Sequence, residues 1–368
     1  MARAMQTTDL ARGQLRRLGI VMEPDMANPR ERGGVLNPAV TRGPDDALYL
    51  LPRLVAPGNY SRIGLARVVF NRHRAPVGVE RLGVVLEPEA PYERNAHTGG
   101  GVEDPRVTHL AARGLYVMTY TALGAAGPRI AAAVSRDLVH WHRTGLVRFA
   151  PLHGLDLDAQ DNKDALLFPE PVPAPDGRLS LALIHRPTFR APDQDWAYAV
   201  TARQGRGERR PCMWISYAPL ATLATGQHVV FGQHHLLAGP EQGWEQLKIG
   251  GGTPPVRVAQ GWLLFYHGVC GGPLDRGTPP HELTYRAGAL LLDGRDPRQV
   301  LYRSAQSILE PQVAAERVGA VPRVVFPTGV DVWADGMLDV YYGMADSRIG
   351  VARATLPELL QPALAQVA

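Results

Sequence analysis

The sequence predicts an all-β fold, a five-bladed β-propeller with short helical extensions at its N- and C-terminal ends. A proline-containing segment recurs five times, and about ten residues after each comes an apolar strand that ends in aromatic or charged residues. A third strand follows in every copy, and repeats of short strands at such spacing are typical of propeller blades. The 39 glycines and 32 prolines are spread along the chain, as expected where many turns join short strands.

Each repeat contains three elements in a fixed order. The proline-containing segments begin at Asn37, Asp104, Phe168, Thr253 and Phe326. The strands that follow are predicted at 48–54, 115–121, 179–186, 262–267 and 338–346, and the third elements at 62–67, 129–135, 213–217, 285–292 and 348–353. The sequence therefore predicts an N-terminal extension at 1–36, a propeller at 37–355 and a C-terminal helix at 356–368.

Two kinds of segment lie outside these repeats. Residues 1–18 are predicted to form an amphipathic helix, with Leu10, Leu15 and Leu18 on one side. Residues 192–211 and 271–282 interrupt the third and fourth repeats and are predicted to be long loops. Loops of this kind often carry substrate selection, although a surface insertion without a role explains them equally well.

The bulk composition disfavours several classes of protein. The 368 residues carry a formal net charge of +4, and no run of Lys or Arg alternates with aromatic residues, so no nucleic-acid partner is expected. No apolar stretch approaches the roughly 18 residues of a membrane span, and the N-terminus lacks the apolar core of a secretory signal. No group of His, Cys and Asp has metal-ligand spacing, so no metal or cofactor is expected. Cys212 and Cys270 are predicted to be free, buried thiols in a cytoplasmic protein.

The second repeat has the most concentrated polar cluster. Glu103, Asp104 and Arg106 follow three consecutive glycines, which allow a backbone to approach a ligand closely. Pro105 is expected to hold Asp104 extended and so to fix the direction of its side chain. Alone, such a string is more typical of a turn with a local salt bridge.

Polar residues at corresponding places in the other repeats strengthen the functional interpretation, because a closed propeller would bring them together around one axis. The carboxylates are Glu103, Asp104, Asp164, Glu170, Glu245 and Asp346, the cations Arg62, Lys163, Arg186 and Lys248, and the other candidates Asn37, Arg106, His267, Tyr120, Trp244 and Tyr285. Carboxylates with aromatic platforms suit a sugar. Several cations in the same ring suit an anion such as phosphate.

Seven strings in order resemble glycoside hydrolase family 130, whose members act on β-mannosides. They are Gly-Val-Glu-Asp-Pro-Arg at 101–106, Lys-Asp-Ala-Leu-Leu-Phe-Pro-Glu at 163–170, His-Arg-Pro at 185–187, Trp-Glu-Gln-Leu-Lys-Ile-Gly at 244–250, Gly-Trp-Leu-Leu-Phe-Tyr-His-Gly-Val at 261–269, Val-Val-Phe-Pro-Thr-Gly at 324–329 and Tyr-Tyr-Gly-Met-Ala-Asp at 341–346. The resemblance runs from about residue 37 to about residue 360 and implies a five-bladed propeller enzyme.

The resemblance also implies roles for individual residues. Asp104 would be the general acid, its proton reaching the glycosidic oxygen through a sugar hydroxyl, while phosphate attacks with inversion to give α-mannose 1-phosphate. Asp346 would hold the mannosyl unit. The residues implied to bind phosphate, a co-substrate here, are Arg62, Lys163, Arg186, Lys248, His267 and Tyr285. The other candidates for contact with a small oligosaccharide are Asn37, Glu103, Arg106, Tyr120 and Trp244. A homo-oligomer stays open.

One departure from the family pattern keeps alternatives open. Phosphorylases of the family carry Arg-Asn where this chain has Lys163-Asp164, and a carboxylate beside a dianion is unfavourable unless it turns away or pairs with Lys163. Inverting hydrolysis needs a second carboxylate about 6.5–9.5 Å from the first to activate water, and Asp164, Glu170 and Glu245 are candidates. Phosphorolysis is the preferred hypothesis, hydrolysis the second and a non-catalytic glycan-binding propeller the third.

Overall fold

The computed structural model describes residues 14–95, 99–189, 193–220, 229–271 and 283–360. Within these ranges the chain is built mainly from β-strands, with short helical segments that include α1 at Asp193–Arg203 and α2 at Ala314–Arg317. The prediction of an all-β fold is confirmed. No helix among the described residues is long and apolar enough to cross a membrane.

The strands form five antiparallel units, taken here in chain order. The first unit contains β2 (Gly34–Arg42), β3 (Leu48–Ala56), β4 (Tyr60–Phe70) and β5 (Pro76–Leu86). The second contains β6 (Gly100–Leu110), β7 (Leu115–Gly124), β8 (Gly127–Ser135) and β9 (His142–Leu146). A short parallel contact between β4 and β6 joins these two units into one sheet.

The third and fourth units each carry an additional short strand beside the main ladder. The third contains β11 (Asp161–Leu167), β12 (Val172–Pro173), β13 (Leu179–Thr188), β14 (Met213–Pro219) and β15 (Val230–Ala238), with β10 (Arg148–Phe149) parallel to β15. The fourth contains β16 (Lys248–Gly251), β17 (Val256–Val258), β18 (Gly261–Cys270), β19 (Thr284–Leu292) and β20 (Val300–Arg303).

The fifth unit joins the two ends of the chain. It contains β21 (Val325–Val332), β22 (Met337–Met344), β23 (Arg348–Thr355) and, at its outer edge, β1 (Arg16–Met22) from the N-terminus. Leu15 is buried in the hydrophobic cluster that the fourth and fifth units share. The predicted helix over 1–18 is therefore wrong for its described end, and the predicted boundary after residue 36 cuts through β2. The open edge of β23 offers unpaired N–H and C=O groups, and pairing them outweighs a weak helical pattern.

Three of the five units repeat one buried polar arrangement. A glutamate at the third position of a short helical segment accepts two hydrogen bonds, at donor–acceptor distances of 2.5 to 2.9 Å. One comes from a tyrosine of the second strand and the other from an arginine of the fourth strand. The three sets are Glu93, Tyr120 and Arg143, then Glu245, Tyr266 and Arg303, then Glu316, Tyr342 and Arg17. Since Arg17 lies on β1, the N-terminal strand occupies the place of β9 and β20 and completes the fifth unit.

The remaining sequence-based expectations are only partly met. α1 lies within the region predicted as a loop at 192–211, while residues 272–282 of the other loop lie outside the described residues. Residues 356–360 are helical, and the rest of the predicted C-terminal helix also lies outside them, as does Leu10. Cys212 and Cys270 are both free, but Cys270 is partly exposed, at the end of β18, instead of buried.

The closure of the fifth unit by β1 predicts a specific loss of stability. Replacing Arg17 by Met (Arg17→Met) leaves the fully buried Glu316 without its charged partner. We expect the free energy of unfolding, measured with urea, to fall by roughly 2 kcal/mol, the usual value of a hydrogen bond to a charged group. Arg16→Met is the matched control, because Arg16 is exposed on the same strand. Equal effects of the two substitutions would contradict the assigned role of Arg17.

Candidate active site

Three inner strands carry the same backbone irregularity at a polar residue. Asn37, Asp104 and Asp164 adopt left-handed φ angles of 46°, 46° and 57°, and the strand register shifts at each position. Asn and Asp are the non-glycine residues that tolerate this conformation best. The bulges interrupt the alternation of side chains and place all three polar groups on one cavity.

The bulges correct two sequence-based expectations. Asp104 is left-handed, although Pro105 was expected to hold it extended. In the third unit the equivalent position is Asp164, whereas the repeat was predicted to start at Phe168-Pro169-Glu170. The bulge depends on an Asp or Asn that can adopt positive φ. The following residue is proline in only two of the three cases, so proline does not mark the position.

A cavity of about 290 Å³ lies where the five units meet. Its wall is made of residues from every unit: Asn37, Arg53, Glu103, Asp104, Lys163, Asp164, Arg186, Lys248, His267, Leu283, Tyr285, Val321, Val324, Phe326 and Asp346. The polar groups divide into two sets. We call Asn37, Arg53, Glu103, Asp104 and Asp346 the carboxylate half, and Lys163, Asp164, Arg186, Lys248, His267 and Tyr285 the cation half.

In the carboxylate half, Asp104 is held by two side chains of the first unit. Asn37 Nδ2 donates to Asp104 Oδ1 at 2.9 Å, and the Arg53 guanidinium donates to the same oxygen at 3.2 Å and to Glu103 Oε1 at 2.6 Å. Burial alone would raise the pKa of Asp104, but the charges of Arg53 and Arg106 and the hydrogen bond from Asn37 lower it below its usual value. Asp104 is therefore ionised in the free site.

Asp346 is the carboxyl group of this half that is poised near neutrality. Burial, together with the negative charges of Asp104 and Glu103, raises its pKa to about 6 against the opposing charge of Arg53. Two carboxyl groups of different proton affinity therefore face the same cavity. This arrangement is frequent where an enzyme needs distinct acid and ionised groups.

The cation half is organised around one carboxylate. Arg186 Nε donates to Asp164 Oδ2 at 2.6 Å, and His267 Nε2 lies 3.8 Å from the same oxygen. Burial would raise the pKa of Asp164, but the charges of Arg186 and Arg106 and the hydrogen bond from Arg186 hold it well below its usual range. Asp164 thus pairs with Arg186, not with its neighbour Lys163 as considered from the sequence.

Burial lowers the pKa values of two other groups of the cation half, Lys248 and His267. Burial, with the charges of Arg186 and Lys163, lowers the pKa of Lys248 to about 7. Burial lowers the pKa of His267 to about 3, so the imidazole is neutral, and its Nδ1 has no hydrogen-bond partner among the described residues. The Lys248 ammonium lies 5.4 Å from the centroid of the Tyr285 ring. An anion that entered here would gain Lys248 as a fully charged partner.

Gly250 leaves the space in which the cation half assembles. A Cβ built at this position would overlap the Asp164 carboxylate and lie 2.5 Å from His267 Cε1 and 2.7 Å from Arg186 Nε. Real Cβ atoms do not approach so closely. The glycine run before Thr253, noted in the sequence, therefore has a steric role here.

Ten of the predicted site residues line the cavity together. They are Asn37, Glu103, Asp104, Lys163, Asp164, Arg186, Lys248, His267, Tyr285 and Asp346. They come from all five units, so the expectation that corresponding positions converge is met for these residues. No group of three His, Cys, Asp or Glu side chains in the described part of the chain is arranged to hold a metal ion.

Three predicted site residues serve packing between strands and turns. Tyr120 points away from the cavity to Glu93, because it lies opposite the bulge on the other face of its sheet. Glu245 is fully buried against Tyr266 and Arg303. Trp244 donates from Nε1 to the carbonyl of Ala305 at 3.3 Å and does not reach the cavity.

Three further predicted site residues also lie elsewhere. Arg62 is paired with Glu87 at 2.9 Å, away from the cavity. Glu170 is exposed in the turn after β11. Arg106 is buried behind the wall, where it donates to the carbonyls of Gly252, Asp104 and Pro105. It does not line the cavity, but its charge lowers the pKa of Asp104.

Arg53 is the site residue that the sequence analysis missed. It stands opposite Leu36, one residue before the first bulge, just as Arg186 stands opposite Lys163, one residue before the third. The repeat pattern does indicate Arg53, since Arg53 and Arg186 lie at equivalent places on the second strands of their units. Arg62, chosen instead, lies on the third strand, β4, and pairs with Glu87.

Comparison with known proteins adds a family context. The glycoside hydrolase family 130 model, described as beta-1,4-mannooligosaccharide phosphorylase, matches residues 4–186 and 217–363. The 1,2-beta-oligomannan phosphorylase of Thermoanaerobacter sp. (strain X514) is 31% identical over 339 residues, covering 90% of this chain and 93% of the relative. The beta-1,2-mannobiose phosphorylase of the same strain is 34% identical over 271 residues, covering 73% of this chain and 70% of the relative.

A similar fold is found among solved structures. The beta-1,2-mannobiose phosphorylase from Listeria innocua, solved in complex with beta-1,2-mannobiose, matches with a TM-score of 0.71 at 22% identity. The match covers 95% of this chain and 99% of that chain. At this identity the likeness shows the shared fold.

The steric role of Gly250 gives a direct test of the cation half. In Gly250→Ala the new methyl group must displace Asp164, Arg186 or His267, so we expect anion binding to be lost while the fold persists. The measurement is phosphate binding by isothermal titration calorimetry together with the midpoint of thermal unfolding. Gly243→Ala is the control, because a Cβ there meets nothing within 4 Å. Unchanged phosphate binding by Gly250→Ala would contradict the proposed steric role.

Proposed function

The chain belongs to glycoside hydrolase family 130 and is an enzyme, and we propose that it is an inverting phosphorylase that cleaves β-mannosidic bonds with inorganic phosphate. The substrates proposed are manno-oligosaccharides or mannosyl-glucose, and the product α-mannose 1-phosphate. The observation that carries the proposal is the division of one cavity into a carboxylate half and a cation half. A five-bladed propeller, with the five units around this cavity, is the architecture we propose for the chain.

The reaction assigns each half one task. Phosphate, held by the cation half, bonds through one oxygen to the anomeric carbon on the face opposite the leaving group. The bond from that carbon to the glycosidic oxygen breaks with its electron pair, and the oxygen takes up a proton that originates from Asp104 and passes through a sugar hydroxyl. Because phosphate is already a nucleophile, this reaction needs one acid and an anion site.

Asp104 must be protonated before it can serve as the acid. The charges of Arg53, Arg106 and Lys163 oppose protonation in the free site. A phosphate dianion in the cation half offsets Lys163 and adds negative charge nearby, and both effects raise the pKa of Asp104. Phosphate binding would in this way favour the protonated form of Asp104, which is the form that acts as the acid.

Hydrolysis is less well supported because the candidate bases are unsuitable. Glu170 is exposed outside the cavity, and Glu245 is buried under Tyr266 and Arg303. Asp164 does line the cavity, but its pKa is held well below its usual range, which makes it a weak base for removing a proton from water.

Phosphate dependence is the first test of the proposed function. With β-mannobioses of different linkage and mannosyl-glucose as substrates, we expect bond cleavage to require millimolar phosphate and to yield α-mannose 1-phosphate. The products can be identified by ³¹P and ¹H nuclear magnetic resonance. Release of free mannose at a rate that phosphate does not change would contradict phosphorolysis and favour hydrolysis.

The assignment of the acid is tested by Asp104→Asn. Loss of a general acid costs roughly 10²- to 10⁴-fold in rate, so we expect kcat on a mannobiose to fall by that factor. An aryl β-mannoside with a good leaving group needs little protonation and should lose far less. Asp331→Asn is the control, because Asp331 is a buried carboxylate paired with Arg42 outside the cavity wall. Equal losses on both substrates would assign Asp104 to substrate binding instead.

A further inference from the structure

Asp164 is a carboxylate placed where an anion is expected to bind. Its Oδ2 accepts from Arg186 Nε at 2.6 Å, and it lines the cavity with Lys163, Lys248 and His267. No hydrogen bond from a described residue reaches its second oxygen, Oδ1. Because Asp164 is ionised, it is an acceptor without a proton of its own.

A fully deprotonated oxyanion and this carboxylate would repel each other. Two negatively charged oxygens at hydrogen-bond distance are tolerated when a proton lies between them. Phosphate supplies such a proton, since at neutral pH it carries at least one P–OH group. Sulfate has the same shape but carries no proton, and neither does fluorophosphate, in which fluorine replaces the hydroxyl.

We propose that Asp164 makes the site selective for a tetrahedral oxyanion that bears a hydroxyl group, with the carboxylate accepting a hydrogen bond from the P–OH of phosphate. The proposal rests on the proposed phosphorolysis and specifies the form of its co-substrate. Arg186 and Lys248 bind the unprotonated oxygens, and Asp164 identifies the protonated one.

The backbone does not require an aspartate at this position. Asn37 adopts the same left-handed conformation at the equivalent bulge, with φ of 46° against 57° at Asp164. An asparagine at 164 would keep the bulge and one acceptor oxygen, and it would add an amide donor. The negative charge of Asp164 is therefore a property that can be removed without changing the local fold.

The decisive experiment compares three anions on the wild-type protein at one pH. Dissociation constants for phosphate, sulfate and fluorophosphate are measured by isothermal titration calorimetry without sugar. We expect phosphate to bind roughly 10- to 100-fold more tightly than either of the others, the range of a hydrogen bond to a charged group. Lys248, whose pKa is about 7, changes absolute affinities with pH, but ratios at one pH largely remove its effect.

The variant Asp164→Asn should reverse this preference. Its amide can donate to an unprotonated oxygen, so sulfate and fluorophosphate should gain affinity and the ratio to phosphate should approach one. A gain of binding separates selectivity from damage, because a misfolded protein binds no anion. Asp331→Asn, which removes the charge of a buried carboxylate elsewhere, should keep the wild-type ratio.

The outcomes separate this inference from the function on which it rests. Wild-type protein that binds all three anions equally overturns the selectivity and leaves phosphorolysis intact. A folded Asp164→Asn that keeps the wild-type ratio also overturns it, since the carboxylate is then not the source. Wild-type protein that cleaves β-mannosides but binds none of the anions overturns the phosphorylase proposal and this inference together.

Discussion

The left-handed bulges of the inner strands are the constraint on which the site depends. In a regular strand the side chains alternate between the two faces, and a bulge interrupts this pattern at one position. Asn37, Asp104 and Asp164 each occupy such a position, and each lines the cavity. Backbone strain limits the choice at these positions largely to Asn, Asp and Gly. Within this choice, the role of the position in the site determines whether it carries an amide, as at Asn37, or a carboxylate, as at Asp104 and Asp164.

Residues opposite the bulges complete the site by their register. Arg53 and Arg186 each stand across from the residue before a bulge. Arg186 reaches Asp164 in the bulge of its own unit, whereas Arg53 reaches past Asn37 to Asp104 in the second unit. One arginine therefore lies beside Asp104 and another beside Asp164. These arginines keep both carboxyl groups ionised against the cost of burial.

The sequence predicted the all-β fold, the family and ten of the residues that line the cavity, because the repeated strings preserve the order of inner strands. It could not predict β1, since the pairing of Arg16–Met22 with β23 joins residues more than 300 positions apart. Tyr120, Trp244 and Glu245 were misassigned for a related reason. In the sequence, a polar or aromatic residue near a strand end looks the same whether it lines the cavity or forms a hydrogen bond to a turn. Only the register of the strands shows which of these two positions it occupies.

In the proposed reaction, the charge of Asp164 makes this departure from the family pattern more compatible with phosphate than with water. A base for hydrolysis needs a carboxylate of raised pKa with room for a water molecule, whereas Arg186 and Arg106 hold Asp164 ionised. A hydrogen-bond acceptor needs the opposite property, a carboxylate that stays ionised when a proton donor approaches. Gly250 leaves the room in which Arg186 and His267 approach Asp164. In this proposal the Asp164 carboxylate repels anions without a proton and accepts a hydrogen bond from the hydroxyl group of phosphate.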